Sequence, residues 1–505
     1  MQTKEKNFHN LLNKENDLFE ALEESGIKYC RWKGAIPHKR SCDIKKDWDL
    51  LIDREHAGEF VVLIRKMGFK RMRSDSAKRF PGLTDYLGFD EHSGMLIHLH
   101  VHYQLIIGEE KFKTLRLPIE SFILNKTQLH HGIRIPEAEI ELLLFVLRAL
   151  VKSNIRANLR MFVFKDHRFP RDLNMKVQEL LSRIDEDRLE QYYQQVGLES
   201  FYGIVHAYLD LIKKDHQSPW ALMRLKIKLL PLLDAFRRCP TYLYYYFSFI
   251  AFIRTTPFRR FLPKDKKKTL DHGGVLISFV GVDGSGKSTI VEEMKEWLSW
   301  KLDVDDIYLG IPKTFKMKTI VAISECLLRL RKKCGSIFFL QWMRPFVQYL
   351  DVRMMCWRWL YVAKQRYKVF LKISKQTSNG KIILTDRFPL KQFHQMKQPM
   401  DGPRIGCNED YIGISSKIMD RYKTKEQEIY GFIPSTLTNI VVMMVDAPTA
   451  IRRKQHEGKL TNEILHKVQA VNQLIYQNSQ VHVVDARLSK EDVKAQVKKI
   501  IWGML

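Results

Sequence analysis

Paired cysteines are the first thing this 505-residue chain lacks. Its seven cysteines, at positions 30, 42, 239, 326, 334, 356 and 407, are widely spaced, include no C-x-x-C pair and leave one over in any disulfide scheme. That pattern speaks against a disulfide framework and fits a reducing cytosol. Long hydrophobic runs are missing as well. The most apolar stretch, "YLYYYFSFIAFI" at 242–253, has about 12 residues where a spanning helix needs about 20, and it runs straight into Arg254. It predicts a buried or interfacial helix, with no transmembrane segment. The opening residues, "MQTKEKNFHNLLNKEND", have no apolar core of the kind a signal peptide requires. Internal repeats and low-complexity tracts are absent.

Acidic charge is also scarce. Asp plus Glu number 57 against 84 Lys plus Arg, a formal charge of +27, which draws the surface towards anions such as nucleotides, nucleic acid or anionic lipid heads. Solvated faces and a basic linker absorb such an excess. A basic scaffold binding nucleic acid or membrane is the rival account of it. A composition of 45% hydrophobic and 28% charged residues belongs to a folded globular protein, and 505 residues are too many for one core.

The patterning divides the chain. Residues 27–105 alternate short strand-like runs ("WDLLID", "MLIHLHVHYQL") with helical ones and predict a small α/β domain over 1–135. Residues 136–253 carry helical spacing, as in "PEAEIELLLFVLRALV", which begins with Pro and acids as a helix should. The stretch 254–274, "RTTPFRRFLPKDKKKTLDHGG", mixes Pro, Gly and a dense cationic run without apolar periodicity and reads as a linker. Residues 275–505 predict a second α/β domain.

Chemistry concentrates at "GVDGSGKST", where Gly281 to Ser288 fit G-x-x-x-x-G-K-[ST] between an apolar strand and a helical pattern. Gly281, Gly284 and Gly286 let successive backbone N–H groups of the loop, through Asp283, Ser285 and Thr289, converge on phosphate at the positive end of a helix. Lys287 then reaches the terminal phosphates, and the Ser288 hydroxyl holds Mg²⁺. Downstream, "GKIILTDRF" is an apolar strand that delivers Asp386 and Arg387 at its C-terminal end, the edge where parallel sheets bind ligands. Asp386 there is a candidate for organising Mg²⁺, and Arg387 for neutralising a transferring phosphoryl group. A third strand and turn, "TNIVVMMVDAPTAIRRK", lead to a helix with Arg452 and Arg453.

From 275 onward the chain resembles the thymidylate kinase family, on the phosphate loop "GVDGSGKST", the triplet "DRF" and the turn "DAPTAIRRK". The resemblance implies a P-loop, doubly wound parallel sheet and an ATP- and Mg²⁺-dependent phosphotransferase. It also implies Asp283 near an acceptor sugar hydroxyl, Arg387 near the phosphates, and Arg452 with Arg453 in a lid over ATP. Lys287, Asp386, Arg387 and Arg453 are then the catalytic candidates. After the triplet, "PLKQFHQMKQPMDGPRI" replaces the family's serine-rich, base-reading segment. The acceptor is therefore left as a nucleotide or another phosphorylated small molecule. Asp351 and Arg353, in "YLDVRMM", lie roughly where the family places a base-facing pair, but an amphipathic helix packing its aromatics inward accounts for that stretch. Arg404 is a candidate clamp for an acceptor phosphate, or closes a turn.

A second constellation lies in "YCRWKGAIPHKRSCDIKKDWDLLIDR". Asp47 and Asp49, at i and i+2, point to one side of a strand and can share divalent metal. This segment resembles the nucleotidyltransferase superfamily related to polymerase β, in which a later strand supplies a third carboxylate. By that resemblance the domain is nucleotidyltransferase-like with a helical extension. The corresponding strand here is "HLHVH", with His98 in the carboxylate slot and His98, His100 and His102 on one face. Three imidazoles can hold zinc, yet same-face neighbours in a strand stand nearly 7 Å apart and converge poorly on one ion. Asp90 or Glu91 is an alternative acid. The domain is thus read as a non-catalytic nucleotide- or partner-binding module, with nucleotidyl transfer to a small molecule, RNA or protein, and a regulatory P-loop module, as the alternative. Nucleic acid is an optional partner and a homodimer is left open.

Overall fold

The computed structural model describes residues 13–33, 46–75, 79–109, 112–152, 171–213, 219–254, 260, 267–336, 338–390, 393, 400–407, 417–433, 438–454, 461–474 and 481–505. The chain divides into two compact units, Met1–Lys267 and Lys268–Leu505, with the boundary inside the expected linker.

The first unit contains strands β1 (Tyr29–Arg31), β2 (Lys46–Ile52), β3 (Lys70–Arg73), β4 (Leu83–Asp90) and β5 (Met95–His102). They lie in the order β1-β2-β5-β4-β3. Strand β2 runs parallel to β5, with Asp47 opposite His98 and Asp49 opposite His100, while β4 and β5 form an antiparallel hairpin. The two-residue alternation of a strand explains the faces. Trp48, Leu50 and Ile52 of β2 share one buried core with Ile97, Leu99 and Val101 of β5. The carboxylates and imidazoles therefore fall together on the opposite face. Two further hairpins follow, β6 (Ile106–Glu109) with β7 (Phe112–Arg116) and β8 (Thr127–His130) with β9 (Ile133–Pro136).

The expected helical extension begins with Ala138–Lys152 and continues through Arg171–Leu181, Glu186–Gln195, Glu199–Lys213, Pro219–Leu232 and Thr241–Arg254. Its apolar stripes, from Leu142 to Leu233, bury against Cys30, Trp32, Leu51 and Leu105, so helices and sheet edge share a second core. The run at 242–253 forms the helix Thr241–Arg254. Tyr242, Tyr245, Tyr246 and Phe249 are exposed, at the i, i+3, i+4, i+7 spacing of one helix face. Among the described residues no helix is long and apolar enough to cross a membrane.

The second unit opens with the short strand β10 (Thr269–Leu270) and is organised by β11 (Leu276–Gly281), β12 (Val304–Asp306), β13 (Ile382–Thr385), β14 (Thr438–Met444) and β15 (Val481–Asp485). The last five make one sheet in the order β12-β13-β11-β14-β15, with every neighbouring pair parallel. Strand β11 is buried along its whole length, which is why "LISFVG" is nearly continuous in apolar residues and not alternating. The C-terminal ends of β11, β13 and β14 lie side by side, and each leads directly into one of the sequence motifs.

Candidate active site

The phosphate loop follows β11. Gly281 has φ +148°, and a β-carbon built there would lie 2.6 Å from the Met443 carbonyl oxygen of the neighbouring strand. Gly286, with φ +88°, is the left-handed residue from which the helix Lys287–Leu298 starts. Only glycine takes both positions without strain. Ser285 is buried inside the loop.

Lys287 is buried too, and its Nζ donates to the Val282 carbonyl at 2.7 Å. Burial pushes its ammonium down to about 8, with Asp283 pulling it up and Arg387 pushing it further down. Strand β13 ends in the buried Thr385, whose Oγ1 donates to the Arg387 carbonyl at 2.7 Å and accepts from the Arg387 N–H at 3.3 Å. That turn aims Asp386 and Arg387 at the loop. Ser288 Oγ donates to Asp386 Oδ2 at 3.2 Å, and Arg387 Nη2 stands 3.9 Å from Asp283 Oδ1. Five sequence candidates, Asp283, Lys287, Ser288, Asp386 and Arg387, thus come together from two adjacent strands.

Arg453, on the helix Ala447–Lys454 after β14, arches over the loop. Its guanidinium donates to the Ala486 carbonyl at 3.0 Å and to the Gly284 carbonyl at 3.4 Å. Arg453 also borders a cavity of about 250 Å³, with Gly286, Thr289, Leu488 and Lys490 in its wall. Arg452, one residue earlier, is exposed.

Asp401 and Arg366, which no motif announced, join the candidate clamp Arg404 beside the loop. Asp401 is buried and accepts from Arg366 Nη2 at 2.8 Å, while Arg387 Nη1 stands 3.7 Å away. Burial pushes the Asp401 carboxyl up against the downward pull of Arg366, Arg387 and Arg404. Arg366 Nε donates to the Leu309 carbonyl at 2.9 Å and Nη1 to the Tyr430 hydroxyl at 2.8 Å. Arg404 donates to the Met400 carbonyl at 2.8 Å and lies over the Trp359 ring at 4.9 Å. The segment carrying both residues is tied down by Glu426, which accepts from the backbone N–H groups of Arg404 and Ile405 at 3.0 and 2.9 Å. Burial raises the Glu426 carboxyl to about 7, against those two donors. One pocket is lined by Asp283, Lys287, Asp386, Arg387, Asp401 and Arg404.

The Asp351–Arg353 pair has another role. Asp351, fully buried, pairs with Arg331 at 2.9 Å between two helices, and Arg353 lies on the surface near Tyr349. Most of the stretch 391–399, where the chain departs from the thymidylate kinase pattern, lies outside the described residues.

No family model matches the chain. Two curated relatives from Escherichia coli K12 do. The uncharacterized ATP-binding protein YghR is 25% identical over 230 residues, covering 45% of this chain and 86% of that protein. The uncharacterized ATP-binding protein YghS is 24% identical over 230 residues, covering 43% of this chain and 88% of that protein. Among solved structures, a deoxyadenosine kinase from M. mycoides with bound dATP aligns over 45% of this chain and 98% of its own, at 16% identity and a TM-score of 0.27. A thymidylate kinase from Candida albicans aligns over 45% and 91%, at 16% identity and a TM-score of 0.30.

In the first unit the carboxylates and imidazoles that the sequence put on one face pair off in different ways. His98 Nδ1 lies 2.8 Å from Asp47 Oδ1, and its Nε2 lies 3.0 Å from Asp85 Oδ1. Asp49 Oδ1 accepts from Lys33 Nζ at 2.7 Å and stands 3.4 Å from His102 Nε2. Burial pushes the Asp49 carboxyl up, but His102 and Lys33 outweigh it and hold it well below the ordinary range. The acid that joins His98 is Asp85, which pattern reading passed over. The alternation in "LTDYLGFD" puts it on the histidine face. Asp90 instead closes the hairpin turn, accepting from the Ser93 N–H at 2.9 Å and the Lys14 N–H at 3.1 Å. Gly34, of the expected Lys-Gly turn, lies outside the described residues.

Proposed function

We propose that the unit Lys268–Leu505 is an ATP-dependent phosphotransferase of the nucleoside monophosphate kinase type, acting on a small acceptor that already carries a phosphate. What carries this reading is one pocket, bordered at once by the phosphate loop, by Asp386 with Arg387, and by Asp401 with Arg404. A donor phosphate on the loop and an anionic acceptor near Arg404 would meet there with reacting groups aligned. The description of the E. coli relatives as ATP-binding supports the donor half of the reading.

The roles follow from position. Lys287 would leave the Val282 carbonyl for the terminal phosphates of ATP. Arg387 would neutralise charge on the group in transfer, and Arg453 with the exposed Arg452 would close over the nucleotide. Asp283 would accept from the acceptor's hydroxyl. The Ser288 hydroxyl and Asp386 carboxylate, two hard oxygen donors 3.2 Å apart, suit Mg²⁺ and would hold it. When bound, Mg²⁺ offsets phosphate charge. The rate would come from positioning and charge neutralisation, without a covalent intermediate.

The test is transfer of labelled phosphate from ATP to a panel of nucleoside monophosphates and sugar phosphates. Transfer to at least one is expected, and tight ATP binding with transfer to none would overturn the proposal. Release of pyrophosphate dependent on Asp47 and Asp49 would favour nucleotidyl transfer by the first unit instead.

A pH dependence follows from Lys287. Its ammonium, pushed down to about 8 in the free site, is re-stabilised by incoming phosphate charge. Above that pH, ATP binding must therefore take up a proton. Affinity for ATP is expected to fall as pH rises through 8, and calorimetry at pH 8 in two buffers of different ionisation enthalpy should register the uptake. Binding heats that are the same in the two buffers before any correction for buffer ionisation would refute it.

A further inference from the structure

We infer that the first unit carries a site for one first-row transition ion of the zinc class, held by Asp49 of β2 and by His100 and His102 of β5. The inference is independent of the proposed phosphotransfer.

Three donors, one from each side chain, lie within 4.8 Å of one another. The parallel pairing of β2 with β5 creates that proximity, because Asp49 stands directly opposite His100. The ring centroids of His100 and His102 are 4.6 Å apart, whereas His98 and His100 are 6.1 Å apart. Two of the three same-face imidazoles thus converge, and the third turns to Asp47 and Asp85. A zinc-class ion at about 2.0–2.1 Å from each ligand needs donor atoms roughly 3.3 Å apart. Side-chain rotations that move each donor by on the order of 1 Å suffice, since no separation exceeds 4.8 Å.

His102 points to a ligand most directly. It is fully buried, its Nδ1 makes no hydrogen bond, and its Nε2 meets only Asp49, the second of the three ligands. Buried polar atoms normally find a partner. Its Nε2 faces Asp49 Oδ1 at 3.4 Å, and edge-on packing against Trp32, with centroids 4.8 Å apart, keeps the ring in place.

The surrounding shell is of the kind that orients a metal-bound histidine. Asp85 Oδ1 lies 2.7 Å from His100 Nδ1, which leaves Nε2 as the nitrogen that faces the ion in a carboxylate–histidine–metal arrangement. Two imidazoles and one carboxylate select zinc-class ions over Mg²⁺, which favours oxygen ligands throughout. Three protein ligands leave at least one coordination position for water or a bound anion.

Two ammonium groups compete for this place. Lys33 Nζ is 2.7 Å from Asp49 Oδ1 and Lys113 Nζ is 2.9 Å from His100 Nε2. Both belong to long side chains that can swing away, and their competition supplies a distinctive test.

The full chain, freed of metal by a chelator and without nucleotide, would be titrated with Zn²⁺ and with Co²⁺ in excess Mg²⁺. One saturable site is expected, with the visible ligand-field absorption of a nitrogen- and oxygen-bound Co²⁺ ion. His100→Ala and Asp49→Asn should each weaken binding at least about tenfold, and Asp85→Asn by about 10–100-fold. Lys113→Met should tighten it, an effect that general damage to the fold cannot imitate. Circular dichroism would check that each variant is folded. Absence of a saturable site would overturn the inference. So would binding indifferent to both His100→Ala and Lys113→Met, or binding that Mg²⁺ displaces.

Discussion

Lys287→Met is expected to lower phosphoryl transfer from ATP by at least about 10²–10³, the scale of removing one preorganised charge from a transition state, while leaving the protein equally stable or more so. The two effects have one cause. The ammonium is buried against the Val282 carbonyl, and burial holds it at about 8 where an ordinary lysine titrates at 10.5. The fold therefore disfavours its charged form by on the order of 3 kcal/mol before any relaxation is counted. The sign can be checked through linkage. Between about 8 and 10.5 the unfolded chain binds more protons than the folded one at this site, so this group makes stability rise with pH across that window. Methionine keeps the apolar stem and drops the charge, which removes the penalty and the phosphate contact together. Thermal denaturation at pH 7 and transfer assays on the same preparation test both halves. A clear loss of stability, or an unchanged rate, would contradict the account.

The sequence made the second unit's sheet legible because its strands are buried on both faces. Each reads as an unbroken apolar run followed at once by a polar motif, as in "VLISFVGVDGSGKS" and "GKIILTDRF". The loop at 281 and the Asp386–Arg387 turn were legible for a related reason: their chemistry sits in consecutive residues. Asp401 and Arg366 were not, since neither belongs to a local pattern. Arg366 is one of many cations on a 35-residue helix, and only the tertiary fold brings it to Asp401. In the first unit, alternation correctly put Asp47, Asp49 and the three histidines on one face. Alternation could not say which imidazole would meet which carboxylate, because that depends on the pairing of β2 with β5 and of β5 with β4. Asp85 escaped notice for the same reason, being one acid in an unremarked strand until its neighbour was known.

Arg366→Met is expected to destabilise the second unit by about 3–5 kcal/mol, the cost of leaving a buried carboxylate without its partner, and to raise the KM for the acceptor in whatever fraction still folds. All three of its guanidinium nitrogens are engaged, with the Leu309 carbonyl, the Tyr430 hydroxyl and Asp401. It therefore fastens three segments around the pocket. Removing it leaves Asp401 buried without a hydrogen-bonded cation, its remaining ion-pair partner being Arg387 at 3.7 Å. A second variant separates stability from positioning. Because a buried ion pair can often be exchanged for apolar side chains at little cost, Arg366→Met combined with Asp401→Leu should recover much of the lost stability. Activity should not return with it. Asp401 is the carboxylate that Arg387 approaches from one side and whose charge acts on Arg404, so its loss frees both guanidiniums from the geometry that suits an acceptor phosphate. The KM for the acceptor should stay high in the double variant while the KM for ATP, read at saturating acceptor, moves little. Denaturant titration gives the stability half, and steady-state kinetics with each substrate varied in turn gives the other. Full recovery of acceptor KM in the double variant would show that the Arg366–Asp401 pair serves only the fold.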